Sequence, residues 1–166
     1  MPGEYAAKTD VPVSRSRDEI ERTLQRFGAT AFAYYAHQSG EVAIQFEIKR
    51  LRVVMRMMLP DRAQFRMDSR GRVRVESAIE KDWEQACRQR WRSLANGIKA
   101  KLALIDDGIS TIEREFMADI LLPDGRTVAE ATLPQVAIAY ETGQMPPMLP
   151  GVSVTAKVVE LPSRTG

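Results

Sequence analysis

Apolar residues recur at helical spacing over one long stretch, Ser77 to Met117, and the rest of the chain is arranged around it. Ile79, Trp83, Cys87, Trp91, Leu94, Ile98, Leu102 and Ile105 follow at steps of three or four, the period of one helix face. Lys81, Arg88, Arg90, Arg92, Lys99 and Lys101 fall between them, so one side is apolar and much of the other cationic. Ser77-Ala78-Ile79-Glu80 opens the run as a capping box, in which serine oxygen and glutamate carboxylate satisfy unpaired backbone N–H groups. Asp106-Asp107-Gly108 closes it, because glycine adopts the left-handed conformation that ends a helix. Ser110-Thr111-Ile112-Glu113 starts a second helix, expected to run to about Leu121.

Upstream, the pattern changes period. Residues 1–13 show none and read as a loose arm. Ser16-Arg17-Asp18-Glu19 is a further capping box, followed by Ile20, Leu24, Phe27 and a closing Gly28. Ala31 to Ala36 reads as a strand, and His37-Gln38-Ser39-Gly40 as a turn. In Glu41 to Ile48, Val42, Ile44, Phe46 and Ile48 alternate with polar or small residues, the period of a half-buried strand. The chain is expected to reverse at Lys49-Arg50. A third strand follows, with Leu51, Val53, Met55, Met57 and Leu59 on one face and Arg50, Arg52, Val54, Arg56 and Met58 on the other. Three arginines leave that second face wet or bound to an anion. Beyond Pro60-Asp61, Asp68-Ser69-Arg70-Gly71 is a turn, and Val73 and Val75 suggest a short fourth strand.

Downstream, Pro123-Asp124-Gly125 is a turn and Thr127-Val128-Ala129-Glu130 another capping box. Pro134 predicts a restart of the helix, with Val136, Ala137 and Tyr140 facing inward and Gly143 as the stop. Met145 to Pro150 should be extended, and Val152 to Val159 an edge strand. The expected fold is α+β: a three-stranded antiparallel meander packed on a long helix, with additional C-terminal helices. It places one domain over residues 14–150, an arm over 1–13, and a tail or edge strand over 151–166.

Composition changes this picture in one respect. The chain has 166 residues, 44% hydrophobic and 28% charged, with no apolar run near the ~20 residues of a membrane span. The N-terminus has no signal-peptide pattern, so a cytoplasmic protein is expected. Cys87 is the only cysteine and reads as a small buried hydrophobe. The net charge of +2 hides a segregation. Residues 49–101 carry fifteen basic and six acidic residues, a balance of +9, against −2 before and −5 after. Such asymmetry points either to a polyanion-binding surface or to an amphipathic fold whose solvated face is arginine-rich.

Candidate chemistry is sparse. His37 is the only histidine, which excludes multi-histidine zinc sites. No phosphate-binding glycine motif follows a strand, so no cofactor is expected. Glu47-Ile48-Lys49 ends a strand much as in the Asp/Glu-x-Lys nucleases, where a carboxylate holds magnesium and the lysine stabilises developing charge. The second acid is missing, since Glu41 starts the same strand and Asp61 comes afterwards, so a non-enzymatic protein is expected. The stronger constellation is Arg50, Arg52, Arg56, Arg66, Arg70, Arg72, Arg74, Arg88, Arg92 and Lys99. If the long helix crosses the sheet, these cations could line one groove and neutralise phosphates without reading bases. Tyr34 and Tyr35 are candidate stacking platforms, and Trp83 and Trp91 candidate core residues.

The run Trp83 to Arg92, with Ile98 to Leu102, Gly108 to Glu113, Leu122 to Thr127 and Gly143 to Pro150, resembles a group of small uncharacterised phage and prophage proteins. The resemblance covers roughly residues 13–150 and implies a phage setting, with no assigned activity and no site to transfer. The helix–three strands–helix order is also similar, at fold level only, to the core of single-strand annealing proteins. Two functions follow as expectations. One is a nucleic-acid-binding protein, with single strands favoured. The other is a protein-binding inhibitor or regulator of an acidic host defence or replication protein.

Overall fold

The computed structural model describes residues 11–149. The arm up to residue 10 and the predicted edge strand at 152–159 lie outside the described residues. The chain divides into two compact units, Met1–Val128 and Ala129–Gly166, where the sequence pattern had placed 14–150 in one domain.

The first unit is the expected α+β arrangement. Helix α1 (Val13–Arg26) leads into strands β1 (Ala31–Ala36), β2 (Glu41–Ile48) and β3 (Leu51–Met58), and then into helix α2 (Glu76–Asp106). The strands form an antiparallel meander in the order β1-β2-β3. Register places Phe32, Tyr34, Val42, Ile44, Phe46, Ile48, Val53, Met55 and Met57 on one face. These residues belong to or pack on the main core cluster, together with Ile20 and Leu24 of α1 and Trp91, Ala95, Ile98 and Leu102 of α2. Burying an aliphatic side chain of this kind stabilises by about 1.5–3 kcal/mol, so the shared face holds helices and sheet together.

Lys49 and Arg50 form the β2–β3 turn, with φ of 48° and 67°. A two-residue connection with both φ positive matches the right-handed twist of paired strands and normally selects Asn-Gly. Here two long cationic residues occupy it, held by eight paired positions on each side.

Helix starts differ from the capping boxes. α1 begins three residues before Ser16, after Pro12, and Ser16 is fully buried inside it. Val13 packs on the core, which rewards the extra turn. α2 begins at Glu76, so Ser77 lies within the helix and Glu80 pairs with Arg62 instead of capping. The start of α3 (Ile112–Phe116) is capped by Thr111, whose hydroxyl accepts the Arg114 N–H at 3.3 Å, one residue after the expected Ser110. This helix is also shorter than predicted. A 3₁₀ turn at Met117–Asp119 follows it, and Ile120 then pairs with Val53 while the Leu121 N–H donates to the Arg52 carbonyl. The free edge of β3 claims the residues that would have extended the helix.

Helix α4 (Val128–Thr142), all but its first residue in the second unit, starts directly after Thr127 and runs through Pro134 without a restart. Pro134 and Glu130 are both exposed, on the side of the helix where a missing backbone N–H costs least. Tyr140, expected inward, is 89% exposed. Gly143, at φ 69°, ends the helix as predicted.

Candidate nucleic-acid interface

The ten cations of the sequence reading separate into four places. Arg50 sits in the β2–β3 turn, and Arg52 and Arg56 lie on the sheet face opposite the one packed on α1 and α2. That face is not uniformly wet: Ala43 and Val54 are buried on it, and Arg56 pairs with Glu41 at 3.7 Å. β3 separates Arg50 from the segment after Pro60 by eight residues, or about 26 Å. Arg50 and the arginine-rich loop therefore stand at opposite ends of the sheet and cannot line one groove.

Arg88, Arg92 and Lys99 are engaged within the fold. Arg92 and Lys99 both pair with Glu19 of α1, whose side chain is 20% exposed. Arg88 donates to Gln85 at 2.9 and 3.1 Å and to Glu84 at 3.5 Å. The cationic flank of α2 is in large part a clamp onto α1 and onto itself.

The remaining four, Arg66, Arg70, Arg72 and Arg74, share the loop between β3 and α2. A 3₁₀ turn, Arg62–Phe65, leads into a small hairpin in which Met67 and Val73 pair antiparallel. Its tip is the predicted Asp68-Ser69-Arg70-Gly71 turn. Asp68 organises that turn by accepting the N–H groups of Arg70 and Arg72 at 2.8 and 3.0 Å and the Arg72 guanidinium at 2.9 Å. The Arg72 backbone N–H, then those of Arg70 and the Arg72 side chain, hold the Asp68 carboxyl below its ordinary range. The expected fourth strand is thus a bridge within the loop, and it does not join the sheet.

Three side chains brace this hairpin on α2. Arg74 reaches Asp82 at 2.6 Å, Arg62 pairs with Glu76 and Glu80, and Trp83 donates its indole N–H to the Pro60 carbonyl at 2.9 Å. Nearby, Arg90 donates to the Met58 carbonyl at 2.8 Å. Arg66 and Arg70, both exposed, make no ion pair or side-chain hydrogen bond with the described residues. The bracing roles of Arg62, Arg90 and Glu19 had no signal in the sequence, because each depends on a partner brought near only by the fold.

The aromatic expectations divide. Tyr34 is not an open platform. It packs edge-on against Phe32 and Trp91 at centroid distances of 4.7 and 5.7 Å, and the Arg17 guanidinium lies 4.0 Å from its ring. Burial pushes its hydroxyl up to about 12 against the pull of Arg17, and its oxygen is buried without a hydrogen-bond partner among the described residues. Tyr35 is 54% exposed on the opposite sheet face. Trp91 is core at 5% exposure. Trp83 is half-buried and lines, with Trp91, Leu59, Val13 and Cys87, a groove of about 550 Å³. Burial raises the Cys87 thiol, so it stays protonated at neutral pH.

Glu47 and Lys49 have different neighbours. Glu47 stands opposite Arg52 in the sheet, whereas Lys49 in the turn lies 3.8 Å from Glu113. Among the described residues no three His, Cys, Asp or Glu side chains gather into a group that could hold a metal, and no helix is long and apolar enough to cross a membrane.

No protein-family model, no curated protein and no solved structure matches this chain.

Proposed function

We propose that this is a non-enzymatic, phage-type nucleic-acid-binding protein that acts in the cytoplasm on single-stranded nucleic acid, with the hairpin loop as its phosphate-contacting surface. The observation that carries the reading is the pair Arg66 and Arg70, exposed and without an acidic partner among the described residues. Beside them is Arg72, whose side chain is 70% exposed despite its contact with Asp68. Arg62, Arg74 and Trp83 anchor the loop from behind, so its cations are displayed on a braced support. Phosphate contact of this kind is indifferent to sequence and releases counterions.

Fluorescence anisotropy with a labelled single-stranded oligonucleotide over a salt series tests this. Affinity should fall with a log–log slope of about −0.7 per phosphate neutralised. Replacing Arg66, Arg70 and Arg72 by Ser should flatten the slope by about 2 and leave the fold intact, since the bracing Arg74 is retained. Absence of binding at low salt, or an unchanged slope in the triple variant, would refute the reading.

A protein-binding inhibitor or regulator of an acidic host protein is the second reading, and α4 favours it. Leu133 and Tyr140, seven residues apart and so on one face of that helix, are 62% and 89% exposed, an apolar pair of the sort that serves protein contacts. Such a complex would depend on salt mainly through its association rate.

A further inference from the structure

The hairpin presents its apolar side to solvent. Met67 and Val73 are antiparallel partners and therefore share a face. They are 61% and 81% exposed, and Val75, two residues further on and still extended, is 70% exposed. Arg74, at the intervening position, turns the other way to reach Asp82 on α2. In an ordinary surface hairpin the apolar side would pack inward and the arginines would face water. Here Arg74 is bound to the scaffold and the apolar side is left open.

Building on the phosphate-contact reading, we propose that this apolar face takes the faces of unstacked nucleobases, so that the loop selects strands whose bases are free over duplex. Arg66 and Arg70 supply the charge complement for the phosphates on either side of such a base. An unstacked base offers what Met67, Val73 and Val75 lack: a flat, weakly hydrated surface attached to a polyanion. Apolar side chains inserted among bases, methionine among them, do the same in other architectures; single-strand binders pair a cationic track with aromatic platforms for successive bases, a place that the aliphatic face takes here. A duplex keeps its bases stacked and would meet only the arginines.

The test compares three probes of equal length at one low salt concentration: a mixed-base single strand, a single strand of abasic sites with the same phosphates, and a duplex. The protein should bind the mixed-base strand at least about fivefold more tightly than the abasic strand, the low end for one contacted base, and more tightly than the duplex. Met67→Ser with Val73→Ser should bring the mixed-base affinity down to the abasic level while a parallel salt series gives an unchanged slope, and Met67→Leu should restore most of it. An unchanged thermal midpoint would show that the serine variant is folded. Equal affinity for mixed-base and abasic strands overturns this inference and leaves the phosphate reading standing. Failure of all three probes to bind overturns both.

Discussion

Removing the charge of Glu19 should reveal how much of the positive surface of α2 serves the fold. Glu19 is one-fifth exposed and meets Arg92, 24% exposed, and Lys99, 43% exposed. At an effective dielectric of 20, one unit pair at about 4 Å attracts by roughly 4 kcal/mol. Desolvation and the rotamer entropy of two long side chains offset most of that. About 1–2 kcal/mol should remain for the better-shielded Arg92 and under about 1 for Lys99, which behaves nearly as a surface pair. Glu19→Gln, which keeps shape and hydrogen-bonding capacity, should therefore cost about 2 kcal/mol in urea denaturation at neutral pH and lower the midpoint of thermal unfolding by about 4–8 °C. A double-mutant cycle with Arg92→Met should return a coupling of about 1 kcal/mol or more. A loss below about 0.5 kcal/mol, or a coupling near zero, would show that the clamp contributes little and that these cations belong to the surface.

Three further outcomes follow from the packing. Trp91→Ala should cost about 3–5 kcal/mol by chemical denaturation, because Trp91 is buried in the main cluster and packs on Tyr34; a loss below about 1 would mean that the helix register is wrong. Tyr34→Phe removes a buried hydroxyl without a partner among the described residues and should leave stability at pH 7 unchanged or higher by up to about 1 kcal/mol. Because Tyr34 is raised to about 12 from 10.0, the folded state keeps this proton longer than the unfolded chain, so stability should fall as pH rises from about 10 to about 12. That fall should be shallower in Tyr34→Phe when denaturation is repeated across this range. Lys49→Asn with Arg50→Gly relieves two left-handed residues and should raise stability by about 0.5–1 kcal/mol; oligonucleotide affinity should not change, as the turn is at the far end of the sheet from the hairpin.

The elements legible in the sequence were those that one period determines. Alternation in β2, the turn at Lys49-Arg50 and the α2 stripe ending at Gly108 all required only knowledge of which residues face a common core. Helix starts were less legible. Ser16 and Ser77 have the right residue three places on, but Pro12 and Val75 precede them, and packing of Val13 or pairing of Glu80 outweighs the value of a cap. The tally of arginines likewise could not separate those bound to a distant carboxylate from those left open. Arg92 and Glu19 are 73 positions apart in the chain, and nothing local to either records the partnership. Nor could a strand-like Val73-Arg74-Val75 say which of its sides would be turned to water.

The length of α2 has a consequence for how the molecule opens. Its 31 residues extend about 46 Å, while β2 and β3 span only about 26 Å. The α2 members of the core cluster begin at Trp91, so the fifteen residues before it, about 22 Å of helix, are held by the two buried side chains Ile79 and Cys87 and by side-chain braces to the hairpin loop. One uninterrupted helix thus contains two regimes of amide protection. Amides from Trp91 onward should exchange with solvent only when the whole unit unfolds. Those from Glu76 to Arg90 should exchange through a smaller opening in which the loop lets go. A strand bound to the hairpin would close that smaller opening, and its footprint in hydrogen exchange would extend along the helix well beyond the residues it touches.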